Sequence, residues 1–166
     1  MEQESTLKNP AVWEACVDES GHLIMTRIKG GRCLSVTVYA NGVAENKTTF
    51  PAGQAGFVRS AGIAAKRVLG IESERDLFQQ DRREAIEAFR SIAAKRKVNV
   101  ESLFDLFIER SAEILGKTSV RRALEQFAEH LYGVRSMASE EIESKLDELG
   151  VTCDTKSDAK VRPHES

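Results

Sequence analysis

The chain has 166 residues, 41% hydrophobic, 30% charged and 6% aromatic, with a formal net charge of −2. That length favours one domain, or two small ones sharing a core, and the composition excludes collagen-like, low-complexity and wholly disordered chains. No run approaches 18 consecutive apolar residues, so no membrane span is expected, and the acidic, polar start MEQESTLKNP lacks the form of a secretory signal. Cys16, Cys33 and Cys153 are odd in number and widely spaced; they read as reduced thiols of a cytoplasmic protein rather than a disulfide framework.

In chain order, residues 12–17 and 23–29 read as short strands around a turn at Asp18-Glu19-Ser20-Gly21, and Gly30-Gly31 ends the second. Residues 34–40 give a third strand, Asn41-Gly42 the strongest hairpin signal in the chain, and residues 43–50 a fourth, closed by Pro51. From there the apolar period is helical. Residues 54–69 carry Phe57, Ala61, Ala64 and Val68 on one stripe and stop at Gly70. Residues 74–96 repeat the pattern through Phe78, Ala85, Phe89 and Ile92. Asn99 caps a helix ending at Gly116, Thr118 or Ser119 caps one ending at Gly133, and Ser139 opens a last one ending at Gly150. The fold class this predicts is α+β: an N-terminal antiparallel sheet of three to four strands packed on a helix, then an all-helical half. The divisions are residues 11–70, 72–150, and a polar, disordered tail over 151–166.

Charge is distributed unevenly. Residues 20–71 hold seven basic residues (Arg27, Lys29, Arg32, Lys47, Arg59, Lys66 and Arg67) against one acid, Glu45, while the segments before and after are net acidic. Alternation along the strands would put Leu34, Val36, Val38 and Ala40 on a buried face against the helix of residues 54–69. Arg27, Lys29, Ser35, Thr37, Tyr39 and Lys47 would then share an open face, with Arg59 and Lys66 in solvent on that helix. Cations there meet phosphates, and hydroxyls donate to phosphates or base edges. The nucleic-acid-binding set is therefore Arg27, Lys29, Arg32, Thr37, Tyr39, Lys47, Arg59 and Lys66. Other readings of the same block are a solvated face, an acidic protein partner, or attraction to the chain's own acidic helices.

Lys47-Thr48-Thr49-Phe50, followed by a helix with Ala55, Ala61, Ala64 and Ala65 and the Gly70 stop, resembles the end of small sheet-plus-helix DNA-binding domains. These are the arm-binding domains of tyrosine integrases and the plant ethylene-response-factor type. The resemblance spans residues 23–70. It implies a three-stranded antiparallel sheet entering the major groove with an Ala-rich helix behind it, and Arg27, Lys29, Thr37, Tyr39 and Lys47 facing the groove. Four strands followed by a helix is also similar to the Whirly and positive-cofactor class of single-strand binders. The helices after residue 97 are similar in pattern to the core-binding region of integrases, with no recombinase activity implied.

Cys16 and His22 have no second pair at metal-ligand spacing, and His22, His130 and His164 sit in no nucleophilic triad pattern. No phosphate-loop motif occurs. The expectation is a protein that is not an enzyme and needs no cofactor or metal. In the helix after Asn99, Leu106 and Ile108 widen the apolar surface beyond Phe104 and Phe107, so these four residues form a candidate dimer or partner interface. The function expected is a DNA-binding or other nucleic-acid-binding accessory protein, acting through the sheet and dimerising through the helices. The alternative is a protein-binding adaptor or inhibitor that binds no nucleic acid.

Overall fold

Asn9 and Pro10 start the first helix. In the computed structural model, which describes residues 7–71 and 76–154, the Asn9 side chain accepts hydrogen bonds from the backbone of Ala11 and Val12, and Pro10 occupies the first turn. Helix α1 (Pro10–Ile28) therefore replaces both strands expected over residues 12–17 and 23–29. The physical reason is its position. α1 lies between the sheet on one side and helices on others, so apolar residues surround most of its circumference and no polar–apolar helical period is visible in the sequence. Gly21 is not a turn glycine. A Cβ there would stand 2.5 Å from Ala65 Cβ and 2.6 Å from the Ala61 carbonyl oxygen, so it is the point where a second helix crosses close to α1.

Strands β1 (Arg32–Val38) and β2 (Ala44–Thr49) form the expected hairpin. Its loop is Ala40-Asn41-Gly42. Tyr39 N–H donates to Val43 O, Gly42 N–H donates to Tyr39 O, and only Gly42 of the Asn-Gly pair has positive φ. The third strand, β3 (Ser136–Ala138), comes from nearly a hundred residues later and lies antiparallel to β1, giving the order β2-β1-β3. A bulge between Cys33 and Ser35 shifts the alternation of β1. Cys33, Val36 and Val38 are buried, whereas Leu34, expected inside, is exposed.

Helix α2 (Ala55–Val68) packs on α1 and on α4 (Val100–Leu115), not behind the sheet, whose buried face rests on α1. α3 (Asp76–Arg96) packs on α4; the side chains of Phe78 and Ala85 and the expected start at residue 74 lie outside those described. Asn99 caps α4 as expected, accepting from Glu101 and Ser102. α5 (Thr118–Val134) has Lys117 at its N-cap and makes no side-chain cap; it passes Gly133 to end at Arg135, which has φ 67°. α6 (Ser139–Glu148) follows β3 directly, and Gly150 with φ 75° ends it. One hydrophobic cluster runs from Val12 of α1 through α2, α4 and α5 to Leu146 of α6. The tail over 155–166 lies outside the described residues, among which no helix is long and apolar enough to cross a membrane.

Candidate interaction site at the sheet edge

The expected cationic face is divided three ways. Arg27, on α1, pairs with Glu143 at 2.5 Å and with Asp147, both on α6, and donates to the Val151 carbonyl at 3.0 Å. Burial would lower its pKa, but the two carboxylates raise it overall. Lys29 is buried with its ammonium 4.0 Å from the centre of the Phe57 ring. Lys66, expected in solvent, is 4% exposed and lies 3.6 Å from Glu14 and 3.5 Å from Asp18. Lys29 and Lys66 are buried and Arg27 is half-buried; the helical frame of α1, with α2 packed against it and the α6 carboxylates within reach, directs all three to partners within the chain. Part of the basic block thus answers the chain's own acids.

Arg32, Ser35, Thr37, Tyr39 and Lys47 remain on or beside the uncovered sheet face. There the register sets Arg32 opposite Thr49, Ser35 opposite Lys47 and Thr37 opposite Glu45. Thr37 Oγ1 lies 3.1 Å from Ser136 Oγ of β3, and Tyr39 donates to Glu45 at 2.8 Å, a contact that raises the Tyr39 pKa. Arg32, Lys47 and Arg59 are exposed and, among the described residues, make no ion pair.

β2 is an edge strand, and beside its open edge lies a groove of about 570 Å³. One wall is β2 from Ala44 to Thr48, the other is α2 with Val58, Arg59 and Ile63, and α1 supplies Asp18, Glu19 and His22. Gly62 makes room for this arrangement, since a Cβ there would overlap the Asp18 carboxylate and the His22 ring. His22 Nδ1 lies 2.6 Å from Val58 O and Nε2 lies 3.5 Å from Asp18. Burial alone would lower the His22 pKa, but Asp18 above all, then Glu19 and the Val58 carbonyl, outweigh it and push it up to about 9. Burial opposes ionisation of Asp18 too, yet His22 and Lys66 hold its pKa below the usual carboxylate range. The pair is ionised at neutral pH. Both imidazole nitrogens then donate, and no ring lone pair is presented to the groove as a base. Asn46 of β2 donates to Glu19 at 2.5 Å, which ties the strand to α1.

The sequence offered one signal for this site that the strand reading obscured. Asn9-Pro10 marks a helix start, and on a helix Glu14, Asp18 and His22 fall at successive i, i+4 positions. Cys16 and Cys33 are buried, and burial pushes both thiols up to about 12, so neither ionises near neutral pH. No group of three or more His, Cys, Asp or Glu able to hold a metal ion occurs among the described residues.

The expected interface of Phe104, Leu106, Phe107 and Ile108 also divides. Phe104 and Ile108 are fully covered by the chain's own core, and Phe107 packs edge-on to Phe57 at 5.2 Å; Leu106 alone is exposed. α4 is apolar on more than one side because α2 and α3 both pack on it. Compared with known proteins, the sequence matches no family model and no curated protein.

Proposed function

We propose that the protein is a non-enzymatic protein-interaction module that takes up an extended polypeptide strand along the open edge of β2, in the groove between that edge and α2. The open edge beside a preformed groove carries this reading. Ladder bonds alternate along an antiparallel pair, and Tyr39 donates to Val43, so the backbones of Val43 and Glu45 turn toward β1 and those of Ala44 and Asn46 turn outward. An added strand would satisfy those donors and acceptors, and its alternate side chains would enter the groove between Val58, Ile63 and Phe50. Ala44→Pro tests it, because proline there removes an outward N–H without breaking a bond to β1. Peptides selected from a random display library on the wild-type chain should lose at least tenfold in affinity for the variant; equal affinity for both would overturn the reading.

A second reading, nucleic-acid binding on the uncovered sheet face, is favoured by the exposed Arg32 and Lys47, which make no ion pair among the described residues, next to Ser35, Thr37, Thr49 and Tyr39. With so few cations left on that face, only a shallow dependence of log affinity on log salt is expected in an anisotropy titration with duplex and single-stranded DNA. Lys47→Glu should abolish it.

A further inference from the structure

We infer that the strand received by the β2 edge is β2 of a second copy of this chain, joined antiparallel with Asn46 opposite Asn46, so that two three-stranded sheets become one of six strands. This rests on the strand-addition reading and names its partner.

The argument is one of register. Antiparallel self-pairing must bring the outward-facing residues Ala44, Asn46 and Thr48 opposite one another, because only their backbones are turned to the open edge. Of the registers that do so, one centred on Ala44 pairs a single residue of β2, and one centred on Thr48 sets Lys47 against Thr49 and leaves Glu45 outside the strand pairing. The three nearest the middle of β2 set Glu45, Asn46 or Lys47 opposite its own copy. The first sets carboxylate against carboxylate and the third ammonium against ammonium, directly across the ladder. The middle register sets Glu45 against Lys47 of the second copy, and Lys47 against Glu45, at both non-hydrogen-bonded positions, where side chains lie closest. Both residues are exposed on the same face of β2. Ala44 and Thr48 then pair with each other across the junction. The contact is self-complementary, as a two-fold interface requires. Moreover, β2 contains no proline, and the only bulge in its pairing lies in the partner strand β1, so two common barriers to edge pairing are missing. Glu45 and Lys47 are the charged residues of β2 that would discourage it, and this register sets each against the other.

Light scattering on the full chain should give twice the monomer mass at about 100 μM, a concentration that populates any dimer of micromolar affinity. Lys47→Glu and Glu45→Lys should each raise the dimer dissociation constant at least tenfold. Mixed together, these two variants should form a heterodimer, since one chain then offers two carboxylates and the other two ammonium groups. A variant carrying both changes should dimerise like the wild type. A monomeric wild type overturns the inference, and so does a dimer that survives Lys47→Glu and Ala44→Pro. A monomeric wild type that still binds selected peptides in an Ala44→Pro-sensitive way overturns the second copy while leaving the strand-addition reading standing; loss of both removes the two together.

Discussion

His22 shows how far a single residue can be committed by its surroundings. With a folded pKa of about 9 against an ordinary 6.5, it contributes on the order of 3 kcal/mol in its charged form. The raised pKa sets the sign. The contribution is complete below pH 6.5 and is lost progressively as pH rises toward 9. Asp18, with its pKa lowered, acts in the opposite sense: its contribution is present above the usual carboxylate range and is lost only in acid. Unfolding free energy, followed by urea titration, should therefore fall between pH 6.5 and 9 in the wild type. In His22→Gln that fall should be mostly gone; an unchanged slope would mean that His22 is neutral in the fold. The cluster was hard to read in the sequence because its members were divided between a supposed strand, a turn and a supposedly solvent-facing helix side.

At the scale of elements, legibility follows exposure. The β1–β2 hairpin, α4 and α6 each have one wet side and one dry side, and their period or caps were visible in the residues; α2 is largely buried, with Arg59 and Arg67 its exposed residues, and was marked instead by its small apolar stripe and the Gly70 stop. α1 has little wet side, and its interior includes Ser20 and Thr26, whose hydroxyls donate to Cys16 O and His22 O one turn back. Thr26 among the apolar residues of 23–29 imitated strand alternation, and Ser20 beside Gly21 imitated a turn. β3 was missed for another reason: three residues become a strand only because β1 supplies the partner. The close crossing of α1 and α2 gives a direct test. Gly21→Ala improves helix propensity, yet its Cβ meets Ala65 and the Ala61 backbone, which cannot swing aside. It should destabilise the protein by about 1–3 kcal/mol, read as a lower thermal midpoint by circular dichroism. A rise in the midpoint would show that α1 and α2 lie further apart.

Across the whole molecule, the two sequence-defined halves share one hydrophobic core, and Arg27 of the basic block adds a polar fastening between them. Arg27 holds α6 through Glu143 and Asp147, Cys33 N–H donates to Glu143 at 3.1 Å, and Asp154 N–H donates to Ile28 O at 2.8 Å. An Arg27→Ala variant should lose about 1–3 kcal/mol. Hydrogen exchange should report the loss in α6 first, with α2 amides unchanged; uniform loss over both helices would mean that α6 does not open separately. The charge asymmetry that first suggested an external polyanion is thus partly an internal device. Where the residues remain outside, at Glu45 and Lys47, it sets the pairing of an edge.

The late arrival of β3 has a consequence for how the chain is made. β1 and β2 are complete by residue 49, but the strand that covers the other side of β1 begins at residue 136. At ordinary translation rates of about 5–20 residues per second, the nascent hairpin waits on the order of 4–20 s with both its edges uncovered. Neighbouring ribosomes on one message would hold several such hairpins close together during that interval. A self-complementary β2 would then let sister chains meet before either has finished folding, so assembly could begin during translation.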